Sequence, residues 1–464
     1  MKMRMESDSI GIMEVPDEAY YGVQAKRAEQ NFCITGNEIN PEFIKNLALI
    51  KKTAAIVNYR AGLLSEDIME AIIESCDEIS DGKLKKEFIV DPVQGGAGTS
   101  MNMNMNEVIA NRATELLGGK LGSYSKVHPN DHVNMAQSTN DVIPTAGKMT
   151  VITLMKSLIC ELDRLEHALS SKAAEFKDVI KMGRTQLQDA VPMTMGEAFC
   201  GYASMIDRSK KRIEKACLEM HSVNLGGTAI GSGINASQYY ESNVVSELSK
   251  MFGSKMEQAD DLFDSTENLD GFVAVSGAIK VCAVSLSKMS NDIRLLSSGP
   301  RCGFNEINIP AKQNGSSIMP GKVNPVIPEV VTQAAFLVIG HDTTITMAAE
   351  AGQMELNAFE PVVFYQIFES ICALTGAVRT LTDNCIIGIT VNKEHCKELE
   401  ESSVGIATAL CPYLGYQKSA AIAKEALKEN RTVRDIVLSE KLMEKDKLDE
   451  VLNPLYMTEA KKPA

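Results

Sequence analysis

The sequence contains no tryptophan, and aromatic residues make up only 5% of its 464 positions. A core without large aromatic plates has to be built from Leu, Ile, Val, Ala and Met, which suits close helix-on-helix packing. Cations are also in deficit: 47 Lys and Arg against 61 Asp and Glu leave a formal charge of -14, with a pI near 5.1. Such a chain repels phosphate, so nucleic acid is not the expected partner. Eleven cysteines are scattered without CxxC pairs. With no secretory signal at the N-terminus, they read as reduced thiols of a cytoplasmic protein. No apolar run approaches the roughly 20 residues of a membrane span, so no membrane partner is expected. Only six histidines are present. His128 and His132 stand four apart but lie in a Pro/Asn/Asp segment without the glutamate of a zinc-protease motif, so no metal is expected there. The other four are isolated, and no Ser-His-Asp hydrolase elbow exists. Glycines 226, 227, 231 and 233 follow no predicted strand and read as a turn rather than a phosphate loop. The chemistry is therefore expected to need no cofactor.

What is present is helical period. Phe272, Val275, Ile279, Cys282, Leu286, Met289, Ile293 and Leu296 step by three and four, a heptad seam about seven turns long. Comparable stretches run from about Asp141 to Lys177, Met193 to Asn224, Pro325 to Ala349 and Ala358 to Thr382. Convincing period-2 strands are scarce. Even Met101 to Asn106, which alternates Met and Asn, reads as a helix start, because helical period continues to Leu117 and Gly118-Gly119 closes it. The expected fold is all-α and in three domains: a mostly helical N-terminal domain over 1–140, a central five-helix bundle over 141–390, and a small helical C-terminal domain over 391–464. Short helices are expected over Ser419 to Glu429 and Thr432 to Ser439, with Lys461 to Ala464 frayed.

Four polar patches stand beside expected helix boundaries. They are Gly95 to Ser100, His128 to Asn140, Gly183 to Asp189, and Gly315 to Pro325. The last reads Gly-Ser-Ser-Ile-Met-Pro-Gly-Lys-Val-Asn-Pro, with Asn324 as N-cap and Pro325 as first helical residue. A helix N-terminus attracts anions, and Lys322 adds a full charge beside it. Gly315 and Gly321 give the backbone freedom to carry Ser316 and Ser317 close to a bound molecule. Taken singly, such clusters are ordinary helix caps. Together they supply hydroxyls, amides and one lysine, a donor set suited to a small carboxylate.

The Gly315 to Pro325 segment closely resembles the signature loop of the aspartase/fumarase superfamily. The resemblance covers nearly the whole chain, through Glu14 to Gly22, Asn104 to Val108, His341 to Thr344 and Ala348 to Gly352. Members are all-α homotetramers with a 20-helix core, in which each active site takes loops from three subunits. Several features resemble the ammonia-lyase branch more than the fumarase branch. Ser100 follows Thr99 where fumarases typically have Gln, and Gln186 stands where they usually have His. Asp131 to Asn134, Gln188 to Met193, Asn305 to Pro310 and Asp342 to Gln353 point the same way.

That resemblance implies reversible loss of ammonia from L-aspartate to give fumarate, with L-aspartate and fumarate as the small-molecule partners. Ser316 would be the catalytic base. Thr99, Ser138, Thr139 and Ser317 would hold the β-carboxylate; Lys322, Asn324 and Thr185 the α-carboxylate; Asn140 and Gln186 the amino group. A dianionic substrate must then be held by local donors against an unfavourable global charge, which salt screens beyond roughly 8–10 Å. The alternatives are a fumarase-type hydratase of the same fold and a non-catalytic structural protein.

Overall fold

The computed structural model describes residues 2–454 and Met457. The chain is all-α in character. Its strands are confined, among the described residues, to four two-stranded ladders. Five long helices dominate: Thr139–Glu175, Met195–Cys217, Asp270–Leu296, Val326–Glu350 and Glu360–Asn384. The heptad seam lies on the third of these and is buried from Phe272 to Ile293, with Leu296 half-buried at the end. Three of the long helices, Thr139–Glu175, Asp270–Leu296 and the stretch from Glu360 to Gly388, are long and apolar enough to cross a membrane by length and composition. This corrects the expectation that no run approaches that length. The seams carry few charges because between half and two-thirds of each apolar window is buried inside the chain itself.

The chain packs as two compact units, each assembled from three stretches. The first comprises Met1–Ile159, Lys211–Val281 and Phe336–Leu374. Here Asn40 caps Pro41–Arg60 by accepting from the Glu42 amide, with Pro41 at the first position, where its missing N–H costs nothing. That helix packs against Glu66–Ser80 and Gln238–Phe252. Four of the few aromatic rings gather in this unit: Phe272, Phe364, Phe368 and Phe43 lie 5.3–6.0 Å apart in successive pairs. Gly147 makes room for them, since a Cβ there would meet the Phe364 ring at 2.5 Å.

The second unit comprises Cys160–Lys210, Cys282–Ala335 and Thr375–Ala464. Its short C-terminal helices include Tyr416–Glu429 and Val433–Ser439, the latter opened by a Thr432/Asp435 capping box. Ile406, Leu410, Ile422, Ile436, Val437 and Leu448 form their shared core. Met182 joins that core from the antiparallel hairpin Ile180–Thr185/Gln188–Thr194. This hairpin is a departure from expectation: the third polar patch sits on strands, not at a helix boundary. The helix expected over Met193 to Asn224 is correspondingly shorter, beginning after the hairpin at Met195 and giving way to a 3₁₀ turn at Leu218. The expected fraying of Lys461 to Ala464 lies outside the described residues.

Candidate active site

The expected site residues fall into two sets. Thr99, Ser138, Thr139 and Asn140 belong to the first unit; Thr185, Gln186, Ser316, Ser317, Lys322 and Asn324 belong to the second.

In the first unit, Thr99 opens the helix Thr99–Leu116 behind Gly98, whose φ of +87° closes the turn. A Cβ on Gly98 would meet Ile143 at 2.8 Å, so glycine lets this helix start approach the helix that Thr139 begins. Thr99 Oγ1 donates to the Gly96 carbonyl at 2.7 Å. Thr99 and Ser100 also line a small cavity of about 140 Å³ with Arg27, which Asp8 holds at 2.9 Å.

The Ser138-Thr139-Asn140 segment is fixed from behind. Asp141, wholly buried, accepts from the Ser138 amide at 2.9 Å and from the Gly226 and Thr228 amides at 3.1 Å each. Burial pushes its carboxyl up to about 6, while these amides pull the other way. The glycine-rich turn, read as mere punctuation, thus clamps the site segment. Asn140 donates through its side chain to the Ala229 carbonyl at 2.7 Å. The alternating asparagines of the Met-Asn run are all buried, each with a job. Asn104 bonds the Glu87 carbonyl at 2.9 Å, while Asn102 and Asn106 both bond Asn134.

His128 and His132 tie together the turn between. The His128 amide donates to His132 Nδ1 at 2.9 Å, and His128 Nδ1 accepts from the Asn130 and Asp131 amides. Burial lowers the His132 pKa, in keeping with a neutral ring that accepts at Nδ1.

In the second unit, Thr185 ends its strand and Gln186-Leu187 form the two-residue hairpin loop, with φ of +53° and +62°. Type I′ loops favour Asn and Gly at these positions, so Gln and Leu here hold strained backbone. The loop is exposed and presents Gln186 outward. Its base is anchored by Glu306, wholly buried, which pairs with Lys181 at 3.3 Å and with Arg184. The Arg184 guanidinium also stacks 4.5 Å over Phe304. In the sequence Glu306 stands out only as part of the Asn305 to Pro310 resemblance, and nothing local gives it this role, since it lies 120 positions from the turn it supports.

The signature loop is a pinched ring. The Gly315 amide donates to the Lys322 carbonyl at 2.9 Å, and Asn324 Nδ2 donates to the Gly315 carbonyl at 2.8 Å. A Cβ on Gly315 would come within 2.3 Å of that Lys322 oxygen, so only glycine closes this neck. Asn324 therefore spends its side chain on the loop rather than acting as the expected N-cap, and the helix begins at Val326. Inside the ring, Ser316 Oγ accepts from the Ile318 and Met319 amides at 3.2 and 3.0 Å. Two successive backbone N–H groups aimed at one hydroxyl oxygen make a small anion nest. Ser317 and Lys322 are exposed on the same loop. Lys322 and Asn324 line a cavity of about 1050 Å³ together with Arg294 and Asn308.

The profile of a family described as "Lyase" matches residues 11–340, and one described as "Fumarase C C-terminus" matches residues 406–459. The chain is 51% identical to an aspartate ammonia-lyase of Helicobacter pylori over 457 residues, covering 98% of each protein. Its fold matches a fumarate lyase:delta crystallin of Brucella melitensis, solved with cobalt bound, at a TM-score of 0.96 and 47% identity over 99% of this chain and 100% of the other. A class II fumarase of Schistosoma mansoni matches equally in shape, at 0.96, but at only 34% identity, over 99% and 100% of the two chains. Matches this long, at this identity and on a common backbone, make the chain a member of the aspartase/fumarase lyase superfamily.

Proposed function

We propose that the chain is an aspartate ammonia-lyase, converting L-aspartate reversibly to fumarate and ammonia. The observation that carries the chemistry is the pair of backbone amides aimed at Ser316 Oγ. A serine hydroxyl is a poor base until it loses its proton. Donors that are stronger partners for alkoxide than for hydroxyl lower that cost without rearrangement. Ser316 takes a proton from Cβ, and the electron pair left behind spreads onto the β-carboxylate as an enediolate. Thr99, Ser138, Thr139 and Ser317 donate to that group, where charge builds during the reaction, and so favour the transition state over the ground state. The enediolate then collapses to the double bond as the Cα–N bond breaks, and its electrons leave with ammonia. Lys322, Asn324 and Thr185 hold the α-carboxylate, and Asn140 and Gln186 the departing amino group.

The same reading makes the enzyme a cytoplasmic homotetramer with active sites shared between subunits. It accounts for the apolar residues that remain exposed on two long helices, Val281 and Val284 on one and Val330, Leu337 and Met347 on the other. Lys322→Ala is expected to raise the KM for aspartate about 10–100-fold with little change in kcat. That matches the roughly 1.5–3 kcal/mol of a hydrogen bond to a charged group lost equally from ground and transition states. Steady-state kinetics check it, and an unchanged KM would remove Lys322 from the carboxylate site. The fumarase-type alternative turns on Gln186 and its neighbours, and is separated by offering L-malate.

A further inference from the structure

Lys51 and Lys52 stand side by side on the helix Pro41–Arg60 but live in different worlds. Lys52 pairs with Asp77 at 2.6 Å near the surface. Lys51 is wholly buried, and its ammonium donates to three amide oxygens: Asn102 at 2.7 Å, Asn134 at 3.0 Å and Gln137 at 3.0 Å. An ammonium has three donors and no acceptor, so these bonds use it fully.

They also fix which way the amides face. With its oxygen turned to Lys51, Asn102 must point its NH₂ group away, and it donates from Nδ2 to Asn134 Oδ1 at 3.2 Å and to Thr139 Oγ1 at 3.3 Å. Gln137, the residue before Ser138, is likewise held. Its NH₂ group donates to the Val133 and Met135 carbonyls, and its own carbonyl accepts from Asn134 Nδ2. Because Thr139 Oγ1 already accepts from Asn102, its own O–H is left to donate elsewhere. The result is a directional chain from ammonium to amide to hydroxyl, each link polarising the next.

We propose that Lys51 is a positioning residue for the reaction: acting through Asn102, it turns the Thr139 hydroxyl proton toward the substrate carboxylate on which negative charge accumulates. The inference rests on Thr139 being a β-carboxylate donor. Electrostatics fit the role. Burial brings the Lys51 ammonium down to about 7, and the charge of Asp141 opposes that fall. Burial likewise pushes the adjacent Cys76 thiol up, keeping it neutral. A cation held so marginally gains from any further negative charge before it. An enediolate, with one more negative charge than the ground-state carboxylate, supplies the most.

The test compares wild type, Lys51→Met and Asn102→Ser in binding two inhibitors and in turnover. Succinate stands in for the ground-state dicarboxylate; 2-amino-3-nitropropionate, ionised to its nitronate, stands in for the enediolate. Lys51→Met is expected to lose about tenfold or more in kcat and in nitronate affinity, the scale of one charge-polarised donor, while KM and succinate inhibition stay near wild type. Asn102→Ser, which leaves Lys51 in place but cuts its link to Thr139, is expected to show the same split and serves alone should Lys51→Met not fold. Equal losses for both inhibitors, or nitronate affinity unchanged in Asn102→Ser, would overturn the proposal. A wild-type protein that ignores the nitronate and makes no fumarate from aspartate would overturn the reading of the site itself.

Discussion

Ser316→Ala is expected to lower kcat by about 10²–10⁴-fold, the usual worth of a positioned general base. KM for aspartate and the melting temperature should change little. Among the described residues, the serine Oγ bonds only the Ile318 and Met319 amides within its own exposed loop, so removing it unsettles no packed element. The ring neck survives as well, because it is closed by the Gly315 backbone with Lys322 and Asn324. Saturation kinetics with a thermal melt in parallel check the prediction. Turnover near wild type would remove Ser316 as the base, and a collapsed melting temperature would recast it as a structural hydroxyl.

The largest effect on stability is expected from Glu306→Ala. Glu306 is wholly buried between Lys181 and Arg184, themselves nearly or largely buried. Removing one member of such a cluster strands the others, at a cost of about 3–5 kcal/mol. The damage should also reach catalysis. Lys181 and Arg184 lie on the strand that ends in Thr185, and the strained Gln186-Leu187 loop keeps its shape only while the hairpin base is held. Urea unfolding should show the loss of stability, with kcat/KM for aspartate falling even where the variant is fully folded. A variant as stable as wild type would mean that Met182 and the C-terminal core alone hold the hairpin. Glu306→Gln, which keeps the shape and drops the charge, should fall between the two.

The long helices were legible because each repeats an apolar seam at a spacing only a helix satisfies; the buried run from Phe272 to Ile293 is the clearest instance. The hairpin over 180–194 was not. Its loop lacks Asn and Gly, Gly183 interrupts the first strand, and the groups that contact it, Glu306 and the C-terminal core, are both remote in sequence. Without that support, Met193 and Thr194 read as the start of the next helix; at its far end the apolar spacing runs on to Asn224, although the helix gives way to a 3₁₀ turn at Leu218 and a short strand at Ser222. The loop hydroxyls and Lys322 could be picked out by residue type beside a helix start. Asn324 shows the limit of that method: the right residue for a cap found a better partner in the Gly315 carbonyl. Lys51 gave no local sign, since two adjacent lysines on an amphipathic helix read as a solvated edge. Only the three amide oxygens, brought from 51 to 86 positions away, mark it as different.

The chemistry is tested most directly by following fumarate through its ultraviolet absorbance, with purified protein offered L-aspartate and L-malate in parallel. An ammonia-lyase makes fumarate from aspartate with one ammonia released for each, and none from malate. Fumarate from malate alone would contradict it and make the chain a hydratase built on the same loops.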